Sequence, residues 1–437
     1  MKYLLIVLFG LSLGTGCQAG QTTGTPLDDG AGDALGGEHR DVRSDVWAPD
    51  VSDAGDLDAR VDAEDAMIHD ADSREEDAPD VHPEADVHPE ADVHPEADVH
   101  PEADVHPEPD IEEPPSGPFV VWMSPNGSDS RDGTTRAKAV QTMSRVQQIL
   151  RSSSPETDVE VRVLPGRYRG QKVNWTFSVP GHRVKFTRVA GESERPVFDG
   201  CLSANNCPGG TWFKLSRSDG AETRLVFHYL RIENYQTAIS LNGSRNAEAR
   251  SNGSNEIFGC YFYRIGNIFN SAVNPSTAAV RLVNSDDNKI INNHFVDIIN
   301  TRSPALLHAI YIAHMSDRNQ ILRNSFRNNA GGPIRVRDYS NDNIINDNTF
   351  KKSSNDAAYS EWYCDNDTRD DCTKPTPECP SWGNQFRENH LNGTYACGAL
   401  RAFIYYQDDS ATGCSPPSPN ARRLRTSGNT SSSTPCQ

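Results

Sequence analysis

Between residues 225 and 391, apolar and polar positions alternate in short bursts that return with a loose period. Aligned on a phenylalanine, "NEIFGCYF" ends at Phe262, "NKIINNHF" at Phe295, "NQILRNSF" at Phe326 and "NIINDNTF" at Phe350. An earlier member, "RLVFHYL", ends at Leu230, and a later one, "NQFRENHL", at Leu391. The steps are 32, 33, 31, 24 and 41 residues. Each unit offers strands of about four or five residues with period-two alternation, separated by Asn, Asp, Gly and Ser turns. Repeats of this length point to a solenoid. Helical arrays do not fit, because β-branched and aromatic residues dominate, and the signature pairs of propellers are absent. A parallel β-helix fits. Each coil lays its strands on the preceding coil at about 4.8 Å, so Ile stacks on Ile and Phe on Phe inside, and Asn on Asn at the turns. Asn292, Asn324 and Asn348 are accordingly assigned to structure.

A further strand follows each phenylalanine. Alternation aligns "TAISLN" (237–242), "AAVRLVN" (278–284), "HAIYIAH" (308–314), "PIRVRD" (333–338) and "AAYSEW" (357–362). Ile239 and Leu241, Val280 and Leu282, Ile310 and Ile312, and Ile334 and Val336 are expected to point inward. One outward column then reads Ser240, Arg281, Tyr311, Arg335, Tyr359. A second reads Asn242, Val283, Ala313, Arg337, Glu361. His308, His314 and Asp338 fall at strand ends. Stacked on successive coils, these side chains would line a groove roughly 15–20 Å long.

The repeats are preceded by "VVWMSPNGSDSRDGTTRAKAVQTMSRVQQIL" and "VEVRVLPGRYRG". Val140, Met143, Val146, Ile149 and Leu150 form one apolar face at helical spacing, suited to closing the open end of a solenoid. With this entrance, residues 119–410 resemble the right-handed β-helix proteins of the pectate-lyase-like superfamily. The resemblance implies an all-β, right-handed parallel β-helix with an N-terminal capping helix. It does not choose among lyases, hydrolases, epimerases and non-catalytic adhesins.

The Arg–Tyr face points to chemistry on acidic sugars. A uronate carries a carboxylate that Arg grips with two parallel hydrogen bonds. Abstracting the proton beside that carboxylate requires neutralising positive charge and a base. By resemblance to lyases of the superfamily, Arg335 or Arg337 is the expected base or clamp. Tyr311 with His308 or His314 is a second acid/base pair, and Arg281, Tyr359, Glu361, Asp338 and His314 are expected to bind substrate. A glycoside hydrolase would instead use two carboxylates, for which Asp338 and Glu361 are the candidates. A non-catalytic glycan-binding or adhesin-like surface protein needs only the area of the face. Asp286-Asp287 is the candidate calcium site, against an ordinary turn. The identity of any metal is not given.

The chain ends change this picture. "MKYLLIVLFGLSLGTGCQAG" has a charged start and an apolar run too short to span a bilayer, which reads as an export signal. The residues before Cys17 resemble a bacterial lipoprotein box, with Leu13 four residues ahead of the cysteine where three is usual. The resemblance implies lipidation at Cys17 and a membrane partner through that anchor, at the cell envelope or surface. Gln18 suits the outer membrane. Residues 18–117 include five "DVHPE" copies and few large apolar residues. A proline every sixth residue and mutual carboxylate repulsion predict a disordered, semi-stiff stalk, with its histidines read as spacer rather than metal ligands. Residues 118–410 form the β-helix domain and 411–437 a disulfide-tied tail.

Charge divides the same way. Residues 1–116 hold 5 Lys and Arg against 31 Asp and Glu, whereas 117–437 hold 37 against 30, 29 of the 37 being Arg. An acidic tether thus carries a mildly basic domain, expected to be a monomer with an acidic polysaccharide as partner. No nucleic-acid motif or dense basic run is present. Beyond Cys17 there are nine cysteines, read as four bridges, with Cys201–Cys207 and Cys364–Cys372 paired by proximity, and Cys260 as a buried free thiol.

Overall fold

The structure is a computed structural model that describes residues 117–217, 219–220, 222–245, 252–351, 357–364, 378–391, 404–406 and 414–431. The export signal, Cys17 and the acidic stalk lie outside the described residues. The described residues form a right-handed parallel β-helix. Their strands fall into three long parallel sheets of ten, nine and eight strands and a short two-stranded one, Asn252–Gly253 with Ser285–Asp286. Sheet 1 carries the Asn-x-Ile segments: Glu256–Phe258, Lys289–Ile291, Gln320–Leu322, Ile344–Asn346 and Asn384–Arg387. Sheet 2 carries the phenylalanines: Tyr261–Ile265, His294–Ile298, Ser325–Asn329 and Thr349–Lys351. Sheet 3 holds Thr237–Asn242, Ala278–Val283, His308–Ala313, Ile334–Arg337 and Tyr359–Trp362.

Like residues stack as the repeat requires. Phe262, Phe295, Phe326 and Phe350 lie nearly parallel, with ring centroids 4.7, 5.1 and 4.9 Å apart. Ile257, Ile290, Ile321 and Ile345 are in register and fully buried beside them. Buried asparagines form two ladders along the axis. In the first, Asn255, Asn288, Asn319 and Asn343 each donate a side-chain amide to the next asparagine's Oδ1, ending at Asn384, at 2.7–3.1 Å. In the second, Asn293, Asn324, Asn348 and Asn389 do the same at 3.0–3.2 Å, ending at Asn429. Each Oδ1 also accepts a backbone N–H from the coil before, as with Asn319 to Asn343 and Asn324 to Asn348. Asparagine recurs because its amide both donates and accepts in a buried corner, where an unpaired polar group costs about 1–3 kcal/mol. Asn324 and Asn348 are rungs as expected. Asn292 is not: it sits at a left-handed turn (φ 55°), and Asn293 takes the rung. Cys260 fills the rung position of its own coil as a buried free thiol, its backbone N–H donated to Asn293.

The helix Met143–Ser153 closes the N-terminal end. Thr142 caps it by accepting the Arg145 N–H, and Met143, Val146, Ile149 and Leu150 are its buried face. The first strand, Phe119–Met123, pairs with Val159–Val163. The solenoid also continues past residue 410, where a tail was expected: Leu424–Ser427 pairs with Asn384–Arg387, and Thr430–Ser431 with His390–Leu391. Cys201–Cys207 is a disulfide, and so is Cys379–Cys414. Cys364 is disulfide-bonded as well, while its expected partner Cys372 lies outside the described residues. No helix among the described residues is long and apolar enough to cross a membrane.

Candidate functional site

Sheet 3 aligns its strands as alternation expects over three coils, then departs by one residue. Ser240 pairs with Arg281, Arg281 with Tyr311, and Tyr311 with Arg335, but Arg335 pairs with Ser360. In the second column Arg337 pairs with Trp362. Tyr359 and Glu361 therefore point into the core, both fully buried, and leave the outer face. The expectation placed the charged residue outside, and a shift of one residue exchanges the faces of a strand. What permits an inward carboxylate is Arg423 of the last described coil, which ion-pairs with Glu361, together with the Ser381 N–H donated at 2.9 Å. Burial is the largest influence on Glu361 and raises its pKa, with Arg423 acting in the opposite sense. With Glu361 inside, the Asp338–Glu361 carboxylate pair does not form on the face.

Five of the expected residues do meet. Arg337 donates from Nη1 to Tyr311 Oη at 3.1 Å, and from Nε and Nη2 to both oxygens of Glu378 at 2.6 and 2.7 Å. Its guanidinium also lies over the Trp362 ring at 4.3 Å, within cation–π range. Burial opposes the Arg337 charge, but Tyr311 and Glu378 outweigh it and raise the pKa. Arg337 is thus a permanent cation holding Tyr311, which removes it as a base. Because Arg337 donates to the phenol oxygen, the phenol proton remains available to another acceptor.

His314 follows its strand directly and adopts φ 54°, as Asn284 and Asp338 do at the same corner of neighbouring coils. Asn, Asp and His are the residues that tolerate this left-handed region. His314 Nδ1 lies 2.7 Å from Asp338 Oδ2. A carboxylate acceptor assigns the proton to Nδ1 and leaves Nε2 as the basic atom. That Nε2 is buried and has no hydrogen-bond partner among the described residues. Burial lowers the His314 pKa, against the raising influence of Asp338 and Glu378, so the ring is neutral at pH 7. Asp338 Oδ1 in turn accepts the Cys379 N–H at 3.2 Å.

Arg281 occupies the coil before Tyr311. Burial, with a smaller contribution from Arg337, lowers its pKa, and its Nε has no partner among the described residues. Arg245, which the repeat alignment did not reach, has its pKa lowered by burial and then by Arg281. Arg337 thus contacts Tyr311, Arg281 stands in register beside it one coil earlier, and Arg245 acts on both electrostatically, with Glu378 and Asp338 as the carboxylates nearby. Arg335 stands one coil further, and His308 lies beside Tyr311 with ring centroids 6.0 Å apart. His308 Nδ1 is 2.7 Å from the Gly332 carbonyl, and burial pushes its pKa down to about 3. It is a fixed neutral ring, not a group that exchanges protons near pH 7. Glu378 and Arg245 lie outside the aligned segments, whereas Trp362 lies inside "AAYSEW" and was turned to the wrong face by the one-residue shift of that strand. Only the charge of the first two was visible.

His314, Asp338 and Glu378 offer ligand atoms within 4.8 Å of one another. Both Glu378 oxygens are engaged by Arg337, and both Asp338 oxygens by His314 and Cys379. A guanidinium in that position repels a cation, so these residues do not fit a metal. At Asp286-Asp287, Arg318 binds the two carboxylates at 3.0 and 2.8 Å. A cation of the chain's own fills the place expected for calcium.

Fold and stacked face define a right-handed parallel β-helix protein. The family model described as periplasmic copper-binding protein (NosD) matches residues 204–370. No curated protein matches the chain. Among solved structures, an alginate lyase from Paenibacillus sp. str. FPU-7 is similar at 14% identity over 67% of this chain and 94% of that one, with a TM-score of 0.42. The pectate lyase Pel9A is similar at 11% identity over 72% and 80%, with a TM-score of 0.40. Each is a likeness of fold.

Proposed function

We propose that the chain is an exported, surface-tethered lyase that cleaves a uronate-containing polysaccharide by β-elimination. The observation that carries this reading is the gathering of Arg245, Arg281 and Arg337 around Tyr311 and His314. The Arg281 guanidinium, whose Nε has no partner among the described residues, suits the substrate carboxylate and the charge that develops there as the adjacent carbon loses its proton. His314 Nε2 takes that proton, with Asp338 holding the ring and stabilising the imidazolium. The electron pair forms the double bond as the bond to the leaving glycosidic oxygen breaks. Tyr311 gives its proton to that oxygen, and the Arg337 guanidinium stabilises the charge left on the phenol. His314 is 2% exposed, so contact at Nε2 requires the side chains over it to part. The Cys17 anchor and the acidic stalk belong to the same proposal: they would let the domain reach extracellular polymer. No step involves copper or calcium, because the residues at both candidate positions are engaged with protein partners.

The hydrolase reading loses its carboxylate pair to the inward turn of Glu361. Non-catalytic glycan binding remains the second reading, favoured by the burial of His314. The test incubates the full chain with alginate, polygalacturonate, hyaluronan and chondroitin and follows absorbance near 232 nm for the unsaturated product. Elimination that falls at least about 100-fold in Tyr311→Phe and His314→Ala is expected, the size of a lost general acid or base. Binding of any of these polymers without product in the unsubstituted protein selects the non-catalytic reading.

A further inference from the structure

The outer face of sheet 3 does not end at Arg281. One coil toward the N-terminus lie Ser240 and Asn242, and one coil beyond those, Lys214 and Ser216. Here the structure has an open cleft of about 640 Å³ lined by Ser216, Arg217, Asp219, Asn242, Gly243 and Ser244. Its chemistry is unlike that of the Arg281 cluster. Arg217 donates from Nε to both Asp219 oxygens at 2.7 and 2.8 Å, so its charge is matched within the cleft. The Asn242 Oδ1 accepts from Ser240 at 3.0 Å, which fixes the amide and turns its NH2 outward as an unpartnered donor among the described residues. The Ser216 hydroxyl is exposed. Lys214 stands in the Ser240 column and does not line the cleft.

Hydroxyl, amide and a carboxylate already bound to Arg217 suit the hydroxyls and amides of an uncharged sugar. With Asp219 holding the Arg217 guanidinium, that cation is not offered to a second uronate. The coil step of about 4.8 Å puts this cleft directly beside the cationic cluster along the groove. We propose that it is a subsite for a neutral sugar, and that the polymer recognised therefore alternates uronate with a neutral hexose or N-acetylhexosamine. This rests on the reading of the Arg281 cluster as a uronate site.

The experiment measures binding by calorimetry in the full chain carrying Tyr311→Phe, which keeps the ligand intact. The probes are hyaluronan, oligogalacturonate and oligomannuronate hexasaccharides. The alternating ligand is expected to bind at least about tenfold tighter, the equivalent of about 1.4 kcal/mol. Asn242→Ala should erase most of that margin. Asp219→Asn should act in the opposite sense and raise affinity for the homo-uronates severalfold, a gain that misfolding cannot imitate. Equal or tighter binding of homo-uronates, with no response to either substitution, overturns the subsite and leaves the uronate site standing. Failure of all three to bind overturns both.

Discussion

Asn319 and Arg337 stand on neighbouring coils of one solenoid, yet their surroundings obey opposite rules. Asn319 is one of a row of identical side chains, each satisfied by the one below and satisfying the one above. Arg337 is one of a set of unlike side chains on a sheet face, where Arg281 is half-buried and its Nε has no partner among the described residues. Repetition suits the first region, because a ladder is stable when every rung finds the same partner. The second has given up repetition. Arg318 pairs with Asp286 and Asp287 at the adjoining turn and Arg337 pairs with Glu378 on the face itself, but Arg281 Nε finds no partner among the described residues. The contrast locates function where the solenoid stops repeating, in keeping with the tendency of functional sites to hold unmet polar groups at some cost in stability.

The sharpest way to break this comparison is through the ladder. Asn348→Leu strips acceptors from the Asn324 backbone N–H and side-chain amide and removes the donor to the Ile321 carbonyl. With about 1–3 kcal/mol for each buried group left unsatisfied, destabilisation of at least about 3 kcal/mol is expected. Urea titration followed by circular dichroism would measure it. A loss below 1 kcal/mol would mean that the ladder relaxes around a missing rung.

Acidification tests the buried histidines. His308 has a folded pKa of about 3, below its ordinary value, so the unfolded chain binds the proton first. Its contribution is fully present above about pH 6.5 and falls as pH drops toward 3, by about 1.4 kcal/mol per unit. His314, also lowered, adds loss in the same direction. Denaturation midpoints at pH 7.5, 6.5 and 5.5 would show the slope starting below 6.5, and His308→Gln should flatten it. Elimination, needing neutral His314, should be level above pH 6.5 and decline only on the acid side.

The smallest effect has the opposite sign. Arg281→Leu removes a half-buried charge whose Nε has no partner among the described residues, so stability should hold or rise by at most about 1 kcal/mol while affinity for uronate oligomers falls. Denaturation and calorimetry on one preparation would check both halves. Destabilisation comparable to that of Asn348→Leu would make Arg281 a structural residue and dissolve the distinction.

The solenoid was legible because its physics is local and repeated. Asn-x-Ile and Phe at a steady spacing predicted which residues stack, and the helical face from Met143 to Leu150 predicted the cap. The outward column Ser240–Arg281–Tyr311–Arg335 was legible for the same reason: period-two alternation fixes a face once a strand is placed. Alternation failed at "AAYSEW", since nothing near Glu361 announces that Arg423, 62 residues later, will meet it inside the core. Nor does spacing reveal that Glu378, from beyond an insertion, will clasp Arg337, or that Arg245 will approach Arg281. Sequence by itself therefore determined the coils, their register over most of sheet 3, and the residue types on its outer face. The tertiary structure alone decided which charges are paired and which guanidinium groups gather at Tyr311, because those contacts join side chains from different coils and insertions whose approach no local pattern encodes.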